Sequence, residues 1–221
     1  MSSHSYLVMV VDDDESVRTS LKRLLHSVGY EVRTFADTQQ VLAHGRPTEP
    51  CCLILDVRIP GQGGLEFQQL LAARGIRIPI IFLTGHGDVA ISVTAMKAGA
   101  ADFLPKPFEP SQLLAAVAQA IDTDAQSLCG QLHLNELRAN FETLTARERE
   151  VFEGVVAGML NKQIAYDLGI TEKTIKIHRG RVMEKMHVES LAELVRAADS
   201  LERACVMEPS AFQTSSAGAW A

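Results

Sequence analysis

Apolar residues fall along the first half of the chain in five short runs, over 6–11, 31–35, 52–56, 79–83 and 101–104. Runs of this length, closed by turn residues, predict buried strands. Between them the apolar period changes to that of a helix, over 15–28, 38–44, 64–73, 88–98 and 109–121. In the first of these, Val17, Leu21, Leu24, Leu25 and Val28 share one face. Gly29 follows as a helix-stopping glycine. Pro60-Gly61-Gln62-Gly63-Gly64 predicts a loop ahead of the third helix. Five strand–helix units of this size predict an α/β fold, a five-stranded doubly wound parallel sheet with right-handed crossovers.

After residue 122 the strand patterns stop and the chain reads as helix. Residues 122–140 predict a helical linker. Leu134, Leu137, Phe141 and Leu144 recur at 3-4-3 spacing, a stripe too short for three heptads, so core packing is expected rather than a coiled coil. Thr145-Ala146-Arg147-Glu148 is a capping box that opens a helix running to Gly158. A short helix spans 161–168 and is closed by Gly169. Thr171 caps a third helix over 172–186, and Ser190 caps a fourth over 191–204. A short helix, a tight turn with glycine and a longer basic helix are the parts of a helix-turn-helix. A small all-α four-helix domain over 141–204 is therefore expected, followed by a flexible tail over 205–221.

In the third of these helices, Ile175, His178, Val182 and Met186 share the face expected to be buried, which makes His178 a structural histidine. Lys173, Lys176, Ile177, Gly180, Arg181 and Glu184 lie on the other side. Lysine and arginine there suit phosphates or guanine edges, and Ile177 suits a thymine methyl. Charge supports this reading. The chain carries a net charge of −6, yet residues 161–187 hold six Lys/Arg against three Asp/Glu. Residues 1–124 hold ten against fourteen. A basic segment in an acidic chain points to a polyanion.

Composition narrows the setting. A hydrophobic fraction of 47% is ample for packed cores, and no apolar run approaches the ~20 residues of a membrane span. Met1-Ser2-Ser3-His4-Ser5 lacks the charged and apolar regions of a secretory signal. Cys51, Cys52, Cys129 and Cys205 follow neither metal nor disulfide spacing; the adjacent Cys51 and Cys52, opening a buried strand, are expected to be core thiols, and a reducing cytoplasm is the simplest setting.

Polar residues stand just past the strand runs: Asp12 and Asp13 after the first, Asp56 at the end of the third, Thr84 after the fourth, Lys106 after the fifth. In open α/β sheets the carboxyl ends of the strands line the ligand crevice. Three carboxylates, a hydroxyl and an ammonium would converge there. Mg²⁺ binds through one or two carboxylates plus phosphate oxygens and water. Asp13 and Asp56 could supply the carboxylates and Asp12 could hold a metal-bound water. Asp56 could act as a nucleophile toward phosphorus, with Lys106 offsetting the developing charge and Thr84 hydrogen-bonding a phosphoryl oxygen. Asp14 and Glu15 suit the positive end of the following helix. His86 has no second His or Cys at ligand spacing and is not read as a metal ligand.

Residues 1–121 resemble the receiver domain of bacterial two-component response regulators. The resemblance rests on Val10-Val11-Asp12-Asp13-Asp14, Leu53-Ile54-Leu55-Asp56 with Pro60-Gly61, Leu83-Thr84-Gly85-His86-Gly87, and Lys97-Ala98-Gly99-Ala100-Ala101-Asp102-Phe103-Leu104-Pro105-Lys106-Pro107-Phe108. It implies the CheY-like strand order 2-1-3-4-5, with Asp56 as phosphoacceptor. Asp12, Asp13 and the backbone carbonyl of Arg58 would complete a Mg²⁺ site. Thr84 and Phe103 would be the switch pair, Phe103 standing where the family often has tyrosine. Lys106 would contact the phosphoryl group, and the Lys106–Pro107 bond is commonly cis in this family. Arg58 and His86 occupy the positions that tune phosphoryl lifetime.

Residues 141–203 resemble the LuxR-type DNA-binding domain of the NarL/FixJ group. The resemblance rests on Leu144-Thr145-Ala146-Arg147-Glu148-Arg149-Glu150-Val151, Asn161-Lys162-Gln163-Ile164-Ala165, and Thr174-Ile175-Lys176-Ile177-His178 with Val182-Met183 and Lys185-Met186. It implies Lys176 and Ile177 in the major groove, and Lys162, Thr174 and Arg179 on the DNA backbone. Gly180 stands where some relatives carry a basic side chain. The whole chain most resembles a FixJ-like response regulator. That implies a partner sensor histidine kinase, a phosphorylation-dependent homodimer, promoter DNA, RNA polymerase and, as the family's commoner outcome, transcriptional activation. Two other readings stay open: a DNA-binding regulator independent of phosphorylation, and an aspartyl-phosphate phosphohydrolase. The phosphohydrolase is disfavoured because such enzymes typically carry a second acid two residues after the nucleophile, where this chain has Arg58.

Overall fold

The computed structural model describes residues 6–61, 63–85 and 89–207. Two compact units divide between Cys129 and Gly130. His86 and the tail from Glu208 lie outside the described residues.

The first unit carries β1 (Leu7–Val11), α1 (Glu15–Ser27), β2 (Glu31–Phe35), α2 (Thr38–His44), β3 (Cys51–Asp56), α3 (Gly64–Ala73), β4 (Ile80–Thr84), α4 (Val89–Lys97) and β5 (Asp102–Pro105). α5 (Pro110–Glu142) follows. All strand pairs are parallel and the order is β2-β1-β3-β4-β5. Alternate side chains of a strand leave opposite faces. Leu7, Met9, Val11, Leu53, Leu55 and Phe82 pack with Phe67 and Leu71 of α3 and Ala95 of α4. Val8, Val10, Ile54, Ile81 and Leu83 pack with Leu21 and Leu25 of α1 and with Leu113, Val117 and Ile121 of α5. Both faces of the sheet are covered, which is why the strands are continuous apolar runs rather than alternating ones.

One expected feature changes. The separate helix over 109–121 and the helical linker form a single helix, α5, of 33 residues. No proline interrupts it, and Gly130 is the one glycine inside it. Its turn at Asp124 is fastened to the base of the first unit. Arg46 donates from Nη2 to both Asp124 carboxylate oxygens at 3.0 Å, and the Cys51 N–H donates to Oδ2 at 2.9 Å.

The second unit holds α6 (Ala146–Val156), α7 (Asn161–Asp167), α8 (Glu172–Lys185) and α9 (Leu191–Met207). Leu137 of α5 joins Val151, Val155, Ile164, Ile175, Val182, Met186 and Leu194 in one core, with Phe141 packed against it. The capping box is present: the Glu148 N–H donates to Thr145 Oγ1 and the Thr145 N–H to Glu148 Oε2. α6 and α7 approach closely at Gly154, where a Cβ would lie 2.9 Å from Cγ1 of Ile164.

Candidate phosphoryl-transfer site and nucleic-acid interface

The ends of β1, β3 and β4 and the start of the β5–α5 loop bring the expected residues to one edge of the sheet. Asp12 is 2% exposed. Its backbone N–H donates to the Phe35 carbonyl, continuing the β1–β2 ladder. Its Oδ1 accepts from the Asp14 N–H at 2.9 Å. Asp14 in turn caps α1 by accepting from the Ser16 N–H. Lys106 Nζ donates to Asp12 Oδ2 at 2.9 Å and to Asp56 Oδ2 at 2.5 Å. The Arg58 N–H donates to Asp56 Oδ1 at 2.8 Å. One ammonium therefore bridges the carboxylates of β1 and β3.

Lys106 is itself placed by the sheet. Its N–H donates to the Thr84 carbonyl at 2.6 Å, and the Lys106–Pro107 peptide is cis, as the resemblance implied. Burial raises the Asp12 carboxyl above its usual range, against the lowering effect of Lys106 and the Asp14 N–H. Burial alone would lower the Lys106 ammonium, but hydrogen bonds and charge from Asp56 and Asp12 outweigh it and the net direction is upward.

Asp13 is exposed beside this pair. Among the described residues no three Asp, Glu, His or Cys side chains gather as a metal cage. Mg²⁺ does not require one, since it keeps several waters and takes one or two carboxylates with phosphate oxygens. The oxygen donors at the β1 and β3 ends, already drawn around a cation in Lys106, fit such an ion. Thr84 is 3% exposed and its hydroxyl donates to the Gly85 carbonyl at 3.0 Å, not to Asp56. Phe103 is half-buried, its ring 6.2 Å from that of Phe82.

The second set of residues lies on α8. Ile175, Val182 and Met186 are buried, as their phase predicts. His178 is half-buried, and its Nδ1 is sealed without a hydrogen-bond partner. Lys173, Lys176 and Arg181 are exposed, and Ile177 among them is 51% exposed. Lys162 is exposed on α7. Two of the residues expected at DNA also serve the fold. Thr174 bonds the Thr171 cap through its N–H and hydroxyl, and Arg179 Nη1 donates to Asn161 Oδ1 at 3.1 Å.

Comparison with known proteins agrees with both halves. Residues 8–118 match the model for the response regulator receiver domain, and residues 142–198 match that for the bacterial regulatory proteins of the luxR family. The chain is 47% identical to Nodulation protein W of Bradyrhizobium diazoefficiens, over 90% of this chain and 88% of the relative. It is 44% identical to the transcriptional regulatory protein FixJ of Azorhizobium caulinodans, over 86% and 90%. The solved structure of response regulator StyR aligns with a TM-score of 0.80 at 46% identity, over 88% and 98%. The chain belongs to the two-component response regulators of the NarL/FixJ group.

In this response regulator three contributors to the candidate site carry little signal in the sequence. Arg18 Nη1 donates to the Asp12 carbonyl at 2.6 Å, fixing the peptide that carries Asp12. Helical spacing from Asp14 was its only signal. Gly64 opens α3 with its N–H on the Val57 carbonyl, and a Cβ there would lie 2.8 Å from the Asp56 carbonyl. In the sequence this glycine fits loop composition, while the structure needs it so that α3 can start directly beneath the Asp56 backbone. Phe82, next to Gly64 and in contact with Phe103, was read only as strand core.

Proposed function

We propose that Asp56 accepts a phosphoryl group from the phosphohistidine of a partner sensor kinase and that this controls DNA binding by the second unit. The observation that carries the reading is the Asp56 carboxylate held between Lys106 Nζ and the Arg58 N–H at the carboxyl edge of the sheet. An Asp56 oxygen attacks phosphorus; the P–N bond to the kinase histidine breaks and the departing imidazole nitrogen keeps the bonding pair. Asp12, Asp13, Asp56 and the Arg58 carbonyl would hold Mg²⁺, which when bound neutralises phosphoryl oxygens. Lys106 then turns from the Asp56 carboxylate to a phosphoryl oxygen. Arg58 and, by the resemblance, His86 tune how readily water reaches the product.

The new group brings roughly −1.5 to −2 charge, the range for phosphorylated hydroxyl side chains. Thr84 turns its hydroxyl from Gly85 toward it, and Phe103 moves into the vacated space. The face made by α4, β5 and α5 then favours a homodimer. Receiver 1–121, linker 122–140 and DNA-binding domain 141–204 act in sequence, and the domain binds paired half-sites of promoter DNA in the cytoplasm. Lys176 and Ile177 meet base edges, while Lys162, Lys173, Thr174, Arg179 and Arg181 contact the backbone. The outcome is activation through RNA polymerase. Both arrangements exist before phosphorylation, which shifts their populations.

The deciding test is intact mass after incubation with acetyl phosphate and Mg²⁺. One added phosphoryl group is expected on the wild type and none on Asp56→Asn. A label that survives in Asp56→Asn, or a wild type that stays unlabelled, defeats the proposal.

A further inference from the structure

We propose that Gly180 is a specificity-determining residue of the DNA interface, left without a side chain so that the backbone of α8 comes into contact with the duplex. This rests on the reading of α8 as the helix that enters the major groove.

Glycine in a helix interior costs up to ~1 kcal/mol against alanine, so each one calls for a reason. Gly64 and Gly154 have theirs inside the chain, since a Cβ at either would lie within 3.0 Å of a neighbour. Gly180 has none. Among the described residues nothing lies within 4 Å of where its Cβ would be, and its φ is not positive. Neither packing nor backbone conformation asks for glycine at this point. Gly130 shares that openness, but it sits in α5 beside the division between the units.

The position of Gly180 supplies the missing reason. It lies four residues after Lys176 and three after Ile177, and therefore on their face of α8. It is exposed, as are Lys173, Lys176 and Arg181, and it lies opposite the buried Ile175, Val182 and Met186. Ile177, 51% exposed, lies one turn earlier on the same face. Glycine is the residue used where a backbone must approach a ligand closely. A methyl group at 180 would meet no atom of the described residues, but it would stand between α8 and the groove. The helix would seat less deeply, and Lys176 and Ile177 would lose their base-edge contacts while the outer phosphate contacts persisted.

Stability and specific affinity then move in opposite directions, which a merely structural residue would not produce. The experiment uses the full chain, treated with acetyl phosphate and Mg²⁺, and a duplex enriched by the wild type from a randomised pool. For Gly180→Ala the thermal midpoint is expected to rise. Affinity for the enriched duplex is expected to fall by at least about tenfold, since the base-edge contacts of Lys176 and Ile177 are lost. Affinity for a scrambled duplex, which is set by phosphates, is expected to change by less than about twofold. Unchanged or tighter binding of the enriched duplex overturns the proposal, as does a lowered midpoint. Gly180→Lys separates the opposite possibility, a vacant phosphate contact: tighter binding to both duplexes would overturn close approach. If the wild type enriches no sequence at all, the DNA-binding reading itself fails and the role of Gly180 falls with it.

Discussion

At the residue scale the candidate phosphoryl site is a problem of like charge. Asp12 and Asp56 share a single ammonium, and Asp12 is almost wholly removed from water. Removing one member of a buried, hydrogen-bonded charge set leaves the others uncompensated. Lys106→Ala is therefore expected to destabilise the unphosphorylated first unit by about 2 kcal/mol, below the full cost of breaking a wholly buried pair because Lys106 keeps some exposure. Added Mg²⁺ should recover part of that loss, since a second cation can serve the same oxygens. Urea denaturation with and without Mg²⁺ checks both points; a variant as stable as the wild type without Mg²⁺ would contradict the arrangement.

At the element scale the second unit depends on a cap that also joins elements. Glu148 is buried at the first turn of α6, where it closes the capping box. Lys185 at the end of α8 donates to its Oε2 at 2.7 Å and to the Thr143 carbonyl at 3.0 Å. The Lys185 hydrogen bond, then the Thr145 N–H, hold the Glu148 carboxyl down at about 2. A carboxyl depressed in the folded state adds stability that is fully present above its unfolded value near 4.5 and is lost as pH falls toward 2. The second unit should therefore weaken between about pH 4.5 and 2. Glu148→Gln should be less stable at pH 7 and flatter across that window. Thermal midpoints of the two proteins against pH decide it, and parallel curves would count against the coupling.

At the scale of the whole molecule, each unit has its own core. The second is closed by residues from Leu137 to Ala198, all on one side of the division. A polypeptide of residues 130–207 is expected to fold alone, with a cooperative thermal transition by circular dichroism. It should bind the duplex enriched by the full chain whether or not acetyl phosphate is present. A non-cooperative melt would mean that the core needs more than this unit supplies.

Periodicity alone was enough for the order of strands and helices, the alternation of buried faces on the sheet and the phase of α8, because apolar side chains must leave water in the pattern their backbone repeats. The placement of Asp12, Asp56, Thr84 and Lys106 at one edge was legible for the same reason: parallel strands end on the same side. The sequence could also show which helix is basic and where caps begin. Continuity of α5 was not legible, because helix propensity across residues 121–130 is compatible with either a break or an unbroken helix. Contacts between residues distant in the chain were equally hidden. The bridging of two carboxylates by Lys106 and the grip of Arg46 on Asp124 have no local pattern, and neither has the space that Gly64 and Gly154 concede to their neighbours. Such contacts follow from how finished elements pack, and a side chain acquires its partner only when packing sets the distance.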